Sequence, residues 1–157
     1  MGKIDDKLAA MAIVLPTPGA PVANYVPTVI SGTQLIVSGQ LPLGQDGKLG
    51  DKHKGKLGAT VSNETGIEAA RLCAINVLAQ AKAALGGDLD RIVRCVRLGG
   101  FINAQPDFTT VPAIMNGASD LMVELLGDAG RHARSTIGVA VLPFDAAVEV
   151  EAIFEVR

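Results

Sequence analysis

The sequence predicts an α+β domain, with one sheet of five or six strands carrying two long helices on one of its faces. Three observations point there. Two stretches repeat apolar residues at intervals of three and four, the period of a helix face. Five other runs are rich in β-branched residues or alternate apolar with polar. The two kinds of segment interleave along the chain, and a sheet covered on one side is the compact way to bury both. With 157 residues, 48% hydrophobic and 19% charged, the chain is long and apolar enough for one domain spanning residues 1–157.

Taken in order, residues 1–20 read as an irregular N-terminal extension with a short amphipathic helix at 4–10. The Pro-containing run from Val14 to Ala23 has no regular period. "YVPTVI" and "TQLIVSG" flank a turn and form a hairpin, which sets Tyr25 and Ser38 on or near neighbouring strands. "QDGKLGDKHKGKLG" is a solvated loop, its lysines interrupted by Asp46 and Asp51. From Ser62 to Leu85, Ile67, Ala70, Ala74, Val77, Leu78, Ala81 and Leu85 mark a helix, capped by Ser62 or Asn63 and ended by Gly86-Gly87. "RIVRCVRLGGFI" is a strand. A second helix runs from Val111 to Leu126, with Pro112 in its first turn and Gly127 at its end. A strand at Ala133–Leu142 and a turn at "PFD" lead to "AAVEVEAIFEV". In that last run Val148, Val150, Ala152, Phe154 and Val156 share a face.

Composition limits the function classes. The net charge is −2, and aromatics are 3% with no Trp and one Tyr. Nucleic acids and anionic membranes are met by an excess of Lys and Arg, and single strands by stacking aromatics, so neither is the expected partner. No stretch has transmembrane length, and "MGKIDDKLAAMAIVLP" has acidic residues where a signal peptide is basic, so a cytoplasmic location is expected. Cys73 and Cys95 read as buried small hydrophobes. His53 and His132 lie in different segments without a second ligand at metal spacing, so no metal site is expected.

"HARSTIGVAVLP" poses the chemical question. Alternation sets Arg134, Thr136 and Gly138 on one side and Ser135, Ile137 and Val139 on the other. A short turn leads to the last strand, so the two strands are expected to pair antiparallel, with the register deciding whether Arg134 meets Glu149. Two readings follow. One is an ion pair at a sheet edge. The other is a site for a small organic acid, in which the small neighbours of Arg134 leave room for a planar carboxylate held by two parallel hydrogen bonds.

With these residues in view, the chain resembles the YjgF-type reactive-intermediate deaminases, also labelled L-PSP endoribonucleases, from about Pro21 to Val156. The resemblance rests on "LIVSGQLP", "GFINAQPDF" and above all "ARSTIGVAVLP…VEVEAI". It implies a chorismate-mutase-like (bacillus-type) sandwich with one mixed six-stranded sheet, assembled as a homotrimer with sites between subunits. It implies hydrolysis of small 2-imino or 2-enamino acids to 2-oxo acids and ammonia, without cofactor or metal. Arg134 falls on the family's carboxylate-binding arginine and Glu149 on its water-handling glutamate. Tyr25, Ser38 and Gly39 fall on its substrate pocket. Thr136 stands where the family has a pocket cysteine, and Pro112 where it has an asparagine. Rival readings are a non-catalytic trimer that binds a small carboxylate, an interaction protein with no ligand, and an endoribonuclease.

Overall fold

The computed structural model describes residues 2–20 and 22–157. Met1 and Pro21, where the resemblance begins, lie outside the described residues. The elements are α1 (Lys3–Ala10), β1 (Thr28–Ser31), β2 (Gln34–Gln40), α2 (Asn63–Ala84), β3 (Ile92–Asn103), α3 (Val111–Leu126), β4 (Ala133–Val139) and β5 (Val148–Val156). The helix limits follow from local chemistry. Ser62 caps α2, its Oγ accepting from the Thr65 amide at 3.1 Å. β1 starts only at Thr28, because Pro27 has no amide to give to a ladder. Tyr25 therefore lies ahead of the strand.

The sheet has five strands in the order β1-β2-β5-β3-β4, with β3 and β4 parallel and the other pairs antiparallel. It is mixed, as expected, but not six-stranded. The Gly- and Lys-rich segment after β2 contributes only single bridges, such as Leu43 with Leu49 and Lys54 with Ala146. One sheet face is the core. Val148, Val150, Ala152, Phe154 and Val156 of β5 are buried there under α2 and α3. The two helices touch backbone to side: a Cβ on Gly117 would lie 2.0 Å from the Ile67 carbonyl oxygen, so only glycine fits that crossing.

A third helix completes the layer. The N-terminal stretch, expected to be irregular outside residues 4–10, holds α1, which docks by burying Ile4 and Leu8. Its first turn is capped from a distance, the Asp90 carboxylate accepting from the amides of Lys3 (2.7 Å) and Ile4 (2.9 Å). At its other end Lys7 Nζ donates to the Leu125 carbonyl at 2.7 Å.

The last two strands do not pair. β3 lies between them, parallel to β4 and antiparallel to β5. The connection after β4 crosses the end of β3, turning through Phe144 and Asp145, both at positive φ (57° and 60°). Asn103, fully buried at that end, pins the crossing. Its Nδ2 donates to Asp145 Oδ1 and the Ala146 carbonyl (3.1 Å each), and its Oδ1 accepts from Lys56 Nζ at 2.6 Å. Lys56 Nζ also donates to the Ala140 carbonyl. Asn103→Leu keeps the volume but strands these groups. It is expected to cost about 2–4 kcal/mol, read from the denaturant midpoint.

Candidate active site

The two charged candidates stand apart in one chain. Arg134 pairs in register with Leu98, whose own neighbour in β5 is Ala152, whereas Glu149 faces Phe101 and, beyond it, Ile137. Two strand spacings amount to about 10 Å, and the three-residue offset adds about 10 Å along the strands. They also point to opposite faces. Glu149 alternates with buried Val148 and Val150 and so faces away from the helices, while Arg134 faces α3. The expected antiparallel pairing of their strands, and the ion pair it would allow, is thus overturned by the placement of β3.

Glu149 packs against the irregular end of β2. The carboxylate lies flat against β2: a Cβ on Gly39 would sit 2.2 Å from Oε1, so Gly39 makes the room. The ladder between β2 and β5 shifts register between Val37 and Gln40, at Ser38 and Gly39. Ser38 Oγ donates to the Val26 carbonyl at 2.9 Å, and the Ser38 amide donates to Pro27 at 2.9 Å. These bonds tie the segment that follows exposed Tyr25 to β2 at Ser38, next to Gly39 and the Glu149 carboxylate. Glu149 is half-buried and makes no hydrogen bond or ion pair to any of the described residues. Burial, and then the nearby Glu151 charge, raises its pKa above the ordinary glutamate value. Glu151 itself pairs with Arg97 at 3.2 Å.

Arg134 is held from above by α3. Nη1 donates to Asn116 Oδ1 (2.9 Å) and Ser119 Oγ (3.1 Å), and Nη2 donates to the Pro112 carbonyl (3.3 Å). The space expected to be empty beside Arg134 is therefore taken up in part by the α3 backbone and side chains. All three acceptors are neutral, and Arg134 has no carboxylate partner among the described residues. A guanidinium carries five N–H donors. Three are engaged, leaving Nε–H and one on Nη2 without a partner among the described residues. Thr136 sits on the same face two residues on, its Oγ1 buried without a hydrogen-bond partner.

Asn116 and Ser119 were not singled out in the sequence, although a signal exists. Pro112, Asn116 and Ser119 step by four and three along α3, a polar line beside an apolar stripe. The remaining reactive side chains lead elsewhere. Cys73 and Cys95 are buried and free, and burial pushes the Cys95 thiol up to about 12 and the Cys73 thiol well above its usual value. No three His, Cys, Asp or Glu side chains gather as a metal-binding group among the described residues. No helix there is long and apolar enough to cross a membrane.

A mixed sheet with both long helices on one face, a glutamate on the open face and an arginine beneath the edge helix defines a chorismate-mutase-like α+β protein of the YjgF type. A family profile described as "YjgF/chorismate_mutase-like, putative endoribonuclease" matches residues 5–156, and the chain belongs to that family. Among proteins, it is 48% identical over 157 residues to Protein TCP17 of Trypanosoma cruzi, covering 99% of this chain and 96% of that one. Among solved structures, it is similar to the protein Atu1372, of unknown function, from Agrobacterium tumefaciens. That match has a TM-score of 0.89 and 45% identity, covering 98% of this chain and 93% of that one. It is also similar to E. coli TdcF with bound serine (TM-score 0.62, 26% identity, covering 92% of this chain and 95% of that one).

Proposed function

We propose that the protein hydrolyses small 2-imino and 2-enamino acids to 2-oxo acids and ammonia, at a site completed between neighbouring copies of the chain. The observation that carries this is a pair of unmatched charges. Arg134 keeps a two-donor fork without an anion, and half-buried Glu149 keeps a carboxylate without a cation, on opposite faces of one sheet. A head-to-tail contact brings one copy's Arg134 to the next copy's Glu149, and where its rotation closes the copies form a ring. Three copies is the number the resemblance implies.

The chemistry needs only these groups. The fork holds the substrate carboxylate and fixes C2 against the Glu149 half-site. An enamine becomes the imine by gaining a proton at C3 and losing one from nitrogen. Water adds across the C2–N double bond, its proton passing through Glu149 to nitrogen to give the carbinolamine; the hydroxyl proton then takes the same route to nitrogen as the C–N bond breaks, leaving the 2-oxo acid and ammonia. The bound serine in TdcF, an amino acid with one carboxylate, fits this substrate size. The ribonuclease wording of the family description is the rival reading. It finds little support in the loop at 45–58, where Lys52 is paired with Glu68 (2.6 Å) and Lys54 with Asp51 (3.3 Å).

The test is ammonia release from freshly generated 2-aminoacrylate and 2-iminopropanoate. Release above the buffer rate is expected. Pyruvate binding without release would identify a binding protein instead. Gly39→Ala offers an internal check. Its Cβ must displace the Glu149 carboxylate, so turnover should fall about tenfold or more while circular dichroism and oligomeric state are unchanged.

A further inference from the structure

We propose that Ser119 and His132 are positioning residues that lock the Arg134 guanidinium in one orientation, so that its Nε–H fork rather than its Nη1 end meets the substrate carboxylate. The inference rests on the carboxylate-binding role proposed for Arg134. Elementary hydrogen-bond chemistry sets the sense of every link. His132 Nδ1 lies 2.6 Å from the Gly130 carbonyl oxygen. A carbonyl only accepts, so Nδ1 carries the proton. In the neutral ring Nε2 is then the acceptor, and at 2.9 Å it takes the Ser119 hydroxyl proton. Ser119 Oγ is left with lone pairs, and one accepts from Arg134 Nη1 at 3.1 Å. One backbone carbonyl thus dictates how three side chains point.

The geometry supports a neutral ring. His132 is partly buried, and burial lowers its pKa below the usual histidine value, with the Arg134 charge adding to that against the Gly130 hydrogen bond. A charged His132 would bring a second cation to the oxygen that already accepts from a guanidinium, and repulsion between the two charges favours the neutral ring. Asn116 takes the second Nη1 hydrogen at 2.9 Å, so that end of the guanidinium is fully used. Without Ser119, Nη1 would regain a free hydrogen and the group could turn about Cδ–Nε.

Nitrogen-15 NMR of the intact, unsubstituted protein reads the relay directly. The chain has two histidines, and the signals that vanish in His132→Gln assign one of them. The Nδ1–H tautomer at His132 is expected, with slowly exchanging Arg134 Nη hydrogens. In Ser119→Ala these hydrogens should exchange quickly, and pyruvate should bind roughly tenfold more weakly. Ser119→Thr, which restores the hydroxyl, should recover both. A charged His132 at neutral pH, an Nε2–H tautomer, or guanidinium exchange unchanged in Ser119→Ala would overturn the proposal. The tautomer needs no substitution, so it decides the matter even where Ser119→Ala fails to fold. An ordered guanidinium and the Nδ1–H tautomer in protein that binds no pyruvate would support the relay and overturn the carboxylate-binding reading.

Discussion

Glu149→Gln is expected to lower imine turnover about 10²–10⁴-fold while pyruvate binding survives. Glutamine keeps the shape of the side chain and can lie on Gly39 as the carboxylate does, so the pocket wall is retained. It loses the ability to take the proton of the attacking water. A structural role would need a partner, and Glu149 has none among the described residues; the charge that acts on it is the repelling Glu151. The same repulsion gives a second expected result. The base must be ionised to act, so a raised pKa moves the acid limb of kcat/KM upward from where an unperturbed glutamate would set it. Glu151→Gln removes one charge that raises it. The limb should therefore move to lower pH, and the freed Arg97 would push in the same direction. Whatever charge a neighbouring copy adds, the sign of that shift stands. Turnover in Glu149→Gln equal to the parent's, or a limb unmoved in Glu151→Gln, would remove Glu149 from the chemistry.

What the sequence made legible is what local chemistry controls. The period of the apolar residues located α2 and α3, and Ser62, Gly86 and Gly127 marked their ends. Strict alternation gave β5 its faces, and with them the outward direction of Glu149. The neighbour of β4 was not legible. A short link suggests a hairpin, but here it crosses the end of β3, and what holds the crossing is Asn103 with Lys56 and Asp145, residues far apart in the chain. No local pattern announces such a network. The cradle of Arg134 was hidden for a different reason. Asn116 and Ser119 interrupt an apolar helix, and polar residues there pass for the solvent side unless the strand beneath is known to carry a cation. The sequence thus disclosed the charged residues, and the strand order disclosed that they stand apart on opposite faces of the sheet.

Arg134→Lys is expected to lower kcat/KM about 10²–10³-fold, chiefly through KM, with the oligomer intact. The argument is a count of donors. The guanidinium has five N–H groups; α3 takes three of them through Asn116, Ser119 and Pro112, which leaves two for a ligand. An ammonium has three. If lysine satisfies the same acceptors, none remains for the carboxylate. If it turns to the carboxylate, the three oxygens on α3 lose their donor and the charge becomes mobile on its stem. Either way the positive charge is kept, so a loss of this size would show that the fork, and not charge alone, binds the substrate. The comparison with Arg134→Ala separates the two contributions. Lysine performing like alanine assigns the whole effect to the fork, and lysine lying midway assigns part of it to charge. The measurements are pyruvate affinity by titration and imine kinetics on the same preparations. Native KM in Arg134→Lys would mean that the carboxylate is held elsewhere, and that the three oxygens beneath α3 merely anchor an edge strand.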